Sequence, residues 1–294
     1  MPTTVQEAQG WLSQWNWNPV ALILLILLVG AYFYSVGPLR LRYQLSETVP
    51  RGRAVAFLLG VLVIVICIIT PLQAIAHILF TGHMIQHMLL ALGAAPLLVV
   101  GVPDWLARFY LRPRFLLFIW RWATMPLIAA VLFNANMWIW HAPSVMNIMM
   151  MNEWAHYLSL VLYLVTGLLF WSPLFGAQVE GLFSLNAAGK LIYILLSDMP
   201  MVLLGAGLTF TPPVYPMYAA TAHLLGWSPT LDQQLGGLIM WIPGGLYLIV
   251  IASIVLIQWF IQMEKQQRAE DVSLLREEEE EERRQQSASV DVSL

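Results

Sequence analysis

The sequence is short of charge and almost without cysteine. Of its 294 residues, 11% are charged and 59% hydrophobic, and the mean hydropathy is +0.71; soluble globular domains carry about 25% charged residues. A chain so depleted in charge needs a solvent other than water, and lipid supplies one. Cys67 is the one cysteine. It permits no intrachain disulfide, says nothing of redox compartment, and reads as a small core residue within an apolar run. No Lys or Arg precedes Arg40, so the positive n-region of a secretory signal is missing and the first apolar run is expected to be a retained anchor. Trp11, Trp15 and Trp17 ahead of it suit an interfacial aromatic belt. The sequence also lacks a phosphate-binding glycine loop, a Cys-x-x-Cys pair and a recognisable Ser–His–Asp arrangement. No enzymatic activity is expected.

What the chain has in abundance is long apolar runs. A membrane helix needs about 20 mostly apolar residues. Seven segments qualify: Pro19 to Val36, Arg53 to Ile69, His83 to Val100, Met125 to Trp140, Trp154 to Trp171, Leu191 to Thr209 and Leu235 to Phe260. The expected fold class is an all-α membrane protein, a bundle of about seven transmembrane helices. All 14 basic residues fall in connections on one side of this arrangement or after its last helix. The positive-inside rule makes that side cytoplasmic, with the N-terminus outside and the C-terminus inside. Residues 1–262 then form a polytopic transmembrane domain, and 263–294 a charged cytoplasmic tail, partly disordered. In the tail, Glu279 and Arg283 are spaced to pair along an extension of the last helix, and Gln285 to Leu294 is expected to be disordered.

The six histidines, His77, His83, His87, His141, His156 and His223, all fall at the outer ends of the spans or in the external connections. His83 and His87, four apart, share one helix face about 6 Å apart along the axis, so both can point at one ion. Met84 and Met88 form a second stripe about 100° around the same helix. Imidazole suits copper, zinc and iron, thioether favours Cu(I), and copper fits both. The alternative is hydrogen-bonded polar packing between helices. His141 and His156, from two further helix ends, would let three helices contribute imidazoles at one level, with Gln86 as polar support. The expected external loop 145–152 holds Met146, Met149, Met150 and Met151, and reads either as a soft-metal capture patch or as apolar side chains dipping into the interface. Asp198, mid-helix in the sixth span, is a functional candidate or a buried hydrogen-bond partner. Asp232 reads as a helix N-cap in preference to a metal ligand. Gly236, Gly237, Pro243, Gly244 and Gly245 mark the last span as closely packed and interrupted, which keeps a transport role open. The external face carries no basic residue, so nucleic acid and anionic substrates find no electrostatic purchase there, whereas a cation does.

Five blocks of residues resemble the CtaG family, the multi-spanning assembly factors of caa(3)-type cytochrome c oxidase. They are His83 to Pro103, with His83, Gln86, His87, Leu90, Pro96, Gly101 and Pro103 in the family's order; Trp140-His141-Ala142-Pro143; His156 through Gly167 to Trp171 and Pro173; Pro200, Leu204-Gly205-Ala206, Thr209-Phe210 and Tyr215-Pro216; and Asp232 to Gly237 through Pro243-Gly244. The resemblance implies a bacterial inner-membrane, multi-pass protein that matures a haem–copper oxidase. On this reading the chain takes copper, as Cu(I), from a periplasmic donor and passes it by ligand exchange to an oxidase subunit. His83, His87, His141 and His156 are the expected ligands, and Met84, Met88, Met149, Met150 and Met151 the transient holders. Two alternatives stay open: a haem- or quinone-binding redox protein using two of the same histidines as axial ligands, and a copper transporter in which Asp198 and the broken seventh helix line a path.

Overall fold

A computed structural model describes residues 4–46 and 48–292, and the described residues are helical, without a strand. Six helices are each long and apolar enough to cross a membrane: Pro19–Arg42, Arg51–Ile68, Phe80–Gly101, Glu153–Phe175, Ala187–Phe210 and the first part of Pro229–Val292. Their starts are written in the sequence. Asn18, Asn152 and Asn186 each accept backbone N–H groups of the first turn, the ordinary way an N-cap satisfies orphan donors. Pro19, Pro126 and Pro229 open helices, where proline's missing N–H costs nothing.

The expected fourth span is shorter than the others. Pro126–His141 has 16 residues, about 24 Å at 1.5 Å per residue, against a hydrocarbon core of about 30 Å. It follows Arg114–Ala123 at a bend of 65°, because the backbone turns through Thr124 and Met125 before Pro126 restarts the helix. At one end of this bent pair Trp122 packs on Phe183, and at the other His141 approaches His87. Taken as one crossing, the pair brings the number of spans to seven.

The third span is the axis of the bundle, with 67% of its most apolar window buried against 17–50% for the other five. Close approach of small residues makes this possible. A methyl on Gly101 would lie 2.8 Å from the backbone of Phe57, and one on Gly237 would lie 2.6 Å from Thr209 Oγ1 and 2.8 Å from Gly205 O. Just after His87, residues Leu89–Ala94 form a π-helical turn. Such a turn loosens the backbone ladder, and Ala91 O accepts the indole N–H of Trp171 at 2.8 Å.

Basic residues and the clustered histidines fall at opposite ends of the spans. At one, Arg53 pairs with Asp104 at 3.1 Å, Arg108 donates to Gln178 O, Lys190 donates to Leu174 O, and Arg121 stacks over Phe183. At the other lie the histidines. Residues Met1–Leu248 form one compact unit and Ile249–Leu294 a second. In the second, Arg268 pairs with Glu264 on an exposed helix face; the Glu279–Arg283 pair expected further on lies outside the described residues.

Gly237 gives a direct check on the packing. Gly237→Ala is expected to destabilise the detergent-solubilised protein by about 1–3 kcal/mol, the usual cost of overpacking. Gly207→Ala, where a methyl meets nothing within 4 Å, should stay within about 0.5 kcal/mol. Thermal unfolding followed by circular dichroism compares the two, and equal stabilities would contradict the close crossing of the sixth and seventh spans.

Candidate functional site

The site begins with a cap supplied from a distant part of the chain. Leu79 has extended backbone and no side-chain cap, so the first N–H groups of the third span need another acceptor. Asp232, fully buried on the seventh helix, provides it: Oδ2 accepts from Phe80 N at 2.8 Å and Oδ1 from Thr81 N at 3.0 Å, while Thr81 Oγ1 donates to Asp232 O. The expected N-cap role is therefore correct in kind, but the helix capped is the third span. Gln233 beside it accepts from Val214 N and donates to Leu208 O, closing the end of the sixth span.

One turn into the helix so fixed, His83 and His87 are 0% and 3% exposed, with ring centroids 4.0 Å apart. None of their four ring nitrogens has a hydrogen-bond partner in the protein. His87 lies against Tyr163 with ring centroids 3.9 Å apart and planes tilted by 31°, and is 6.4 Å from His141; His83 lies 5.8 Å from His156. The expected convergence of imidazoles from three helices is present, and His77 joins it, 4.3 Å from His156. His77 belongs to the helix Leu72–Ile78, and burial pushes it down to about 4, so it is neutral at physiological pH. His223 is exposed on Pro216–Leu224 and does not join.

Backbone carbonyls settle where the protons sit on two of these rings. Gln86 Nε2 donates to Cys67 O and to Gln73 Oε1, and Gln73 Nε2 then faces His77 Nε2 and His156 Nδ1, each at 3.3 Å. A carbonyl only accepts, so the chain of amides runs in one direction and makes His156 Nδ1 an acceptor. The proton of neutral His156 is on Nε2. In His141 the reverse holds: Nδ1 lies 2.7 Å from Met137 O and must carry the hydrogen, so Nε2 presents a lone pair, 3.3 Å from Met84 Sδ. A ring nitrogen anchored to a carbonyl is the usual support for a metal-binding imidazole.

Among the described residues no three His, Cys, Asp or Glu side chains are arranged to hold a metal ion by themselves. The sulfur atoms complete the picture. Met84, Met88, Met137, Met201 and Met240 line a cavity of about 10 Å³ together with His87 and His141, room for about one water-sized sphere. A larger cavity, about 590 Å³ and mostly apolar, is lined by Phe57, Trp120, Pro173 and Lys190 at the opposite, basic end; size alone does not mark the chemistry here.

Two expectations change. The segment 145–152 is not an external loop: Pro143 opens a helix, Pro143–Met151, whose spacing turns Met146, Met149 and Met150 into the core and leaves Met151 out, 78% exposed. Met150 Sδ accepts from Tyr218 OH. No external patch of methionines exists there. Asp198 does not meet the imidazoles either; its carboxyl faces Gly245, 3.7 Å from where a β-carbon would sit, with Oδ1 unpartnered. Gln73, Met137, Met201 and Met240 escaped sequence reasoning. Gln73 is four residues from His77 and detectable by that spacing, whereas each of these three methionines stands on a different helix.

Fold and site together define a polytopic helical membrane protein with a buried imidazole and thioether centre at one end of its spans. Residues 30–262 match the model of the family described as cytochrome c oxidase caa3 assembly factor (Caa3_CtaG), and the chain belongs to that family. Among curated proteins it is similar to the uncharacterized proteins Mb0105 of Mycobacterium bovis and MT0111 of Mycobacterium tuberculosis, each 27% identical over 278 residues, and ML1998 of Mycobacterium leprae, 25% identical over 280. In each case 87% of this chain is covered and 41% of the relative, so the chain spans about two fifths of their length. No solved structure matches.

Asp232→Asn tests the cap. The amide keeps one acceptor and turns its NH₂ toward a backbone donor, leaving a buried N–H unsatisfied at a cost of about 1–3 kcal/mol. A lower thermal midpoint in detergent is the expected result, and an unchanged one would remove Asp232 from its role in holding the third span.

Proposed function

We propose that the protein matures a haem–copper oxidase in a bacterial plasma membrane, accepting copper where the imidazoles gather and passing it to an oxidase subunit by ligand exchange. The family supports the oxidase as client. The observation that carries the copper reading is the pair His83 and His87, buried with all four ring nitrogens unpartnered beside the oriented lone pair of His141. A buried polar group without a partner costs about 1–3 kcal/mol, and such groups in a folded protein call for a ligand or a functional reason. The partition of basic residues supports an orientation with this end outside the cytoplasm by the positive-inside rule, the N-terminus on the same side and a periplasmic donor as copper source.

His83, His87 and His141 are the favoured ligands. His156 ranks behind them, since reaching an ion through Nε2 would move its proton to Nδ1 and break the Gln73 contact. Haem is disfavoured by space, because the cavity bordered by His87 and His141 holds about 10 Å³. A transport path through Asp198 draws no support from its position beside Gly245. Transfer by ligand exchange needs no catalytic residue.

The test is copper analysis of the purified protein and of a His83→Ala/His87→Ala variant, alongside the copper content of the oxidase in cells lacking the gene. The variant is expected to lose copper and the oxidase to be under-metallated. Equal copper in the two proteins would refute the ligand assignment, a fully metallated oxidase would refute the assembly role, and a Soret band would favour haem.

A further inference from the structure

We infer that the methionine-lined cavity is a second, soft-cation site that holds Cu(I) in thioether ligation, inward of the His83–His87 pair. This rests on the copper reading above and goes beyond it by assigning Met137, Met201 and Met240, residues from the fourth, sixth and seventh spans, to binding.

Methionine is a common filler of irregular cores, so five lining thioethers are not enough. Two further observations point to an ion. The first is the contact between His141 and Met84. With the proton fixed on Nδ1 by Met137 O, Nε2 and the thioether sulfur are both lone-pair donors, yet they face each other at 3.3 Å with no hydrogen between them. A cation ligated by both, at bond lengths of roughly 2.0–2.3 Å, converts that repulsion into binding. The second is His87, 97% buried by its 3% exposure, bordering the same cavity with both nitrogens unpartnered.

The donor set then selects the ion. The residues of the lining with donor atoms are five methionines, His87, His141 and the phenol Tyr163, with no carboxylate or thiolate among them. Without a negative ligand, a divalent ion suffers a far larger desolvation penalty than a monovalent one. Thioethers favour Cu(I). Two of the thioethers converge on the seventh helix: a methyl at Gly244 would lie 2.7 Å from Met88 Cε and 3.0 Å from Met201 Cε, so both side chains end over its bare backbone. His87 borders both the imidazole pair and the cavity, so one nitrogen–copper bond can be exchanged for a sulfur–copper bond without change of oxidation state, and no electron acceptor or donor is required.

The experiment is anaerobic titration of the detergent-solubilised full chain with Cu(I), using a competing Cu(I) chelator for affinity and X-ray absorption at the copper edge for ligand type. The wild-type protein should show sulfur in the copper shell. Met137→Leu/Met201→Leu/Met240→Leu, changes that nearly conserve volume, should lose sulfur scattering and weaken Cu(I) binding at least about tenfold, the scale on which ligand-shell changes act. The wild-type spectrum stands even if the triple variant fails to fold. A nitrogen-only shell in the wild type, or unchanged affinity and sulfur scattering in a folded triple variant, overturns the thioether site while leaving the proposed function intact. Wild-type protein that takes no copper overturns both. Sulfur-ligated copper in a protein whose loss leaves the oxidase fully metallated upholds the site and removes the assembly role.

Discussion

A carboxylate buried among apolar helices persists only where hydrogen bonds replace its lost water, and Asp232 meets that condition by taking the first two N–H groups of the third span. The arrangement solves two problems at once. The start of that helix has no capping side chain of its own; a buried orphan N–H costs about 1–3 kcal/mol, and an unpaired carboxylate oxygen more. Because the partner sits on the seventh helix, the bond also fixes the register of the two helices against each other. The third span carries His83, Met84, His87 and Met88 within its first turns, so the depth of these side chains is set by this cap. Close glycine crossings act in the same sense, leaving the central span little freedom to slide.

With that register fixed, the histidines divide by proton position. The amide chain from Cys67 O through Gln86 and Gln73 makes His77 and His156 acceptors on the side facing it. Met137 O makes His141 a donor on its outer nitrogen and a lone-pair ligand on the inner one. His83 and His87 are tied to nothing. Five rings within a few ångströms thus hold three different chemical roles, and the backbone carbonyls assign two of them.

Much of this was legible in the sequence because lipid enforces strict rules. Apolar run length gave the spans, and the placement of Lys190 and the arginines separated the two ends. The four-residue spacing of His83 and His87 gave a shared helix face without any tertiary knowledge. What stayed hidden depends on contacts between elements distant in the chain. Nothing local tells that Asp232 caps Phe80 and Thr81, about 150 positions away, or that Met137, Met201 and Met240 share a wall. Segment 145–152 differs for another reason: a dense methionine run looks alike in a loop or a short helix, and Pro143 is the first residue of a new helix. The bend ahead of the fourth span is hidden in the sequence because apolar composition continues across Thr124 and Met125, while the backbone turns there.

The chemistry of the centre follows from its lack of charge. A carboxylate or thiolate site deep among these helices would bind divalent ions tightly and release them slowly, and the empty form would leave an anion in low dielectric. Neutral imidazole and thioether ligands avoid that cost, because the unloaded state carries no buried charge. The loaded state carries a single positive charge if the ion is Cu(I). The difference in solvation between the two states is then small, which suits the release that the proposed function needs. Asp198, an acid within the middle of a span, is not among the residues that line the sulfur-rich cavity; a carboxylate in that lining would deepen the binding of a cation and slow its release.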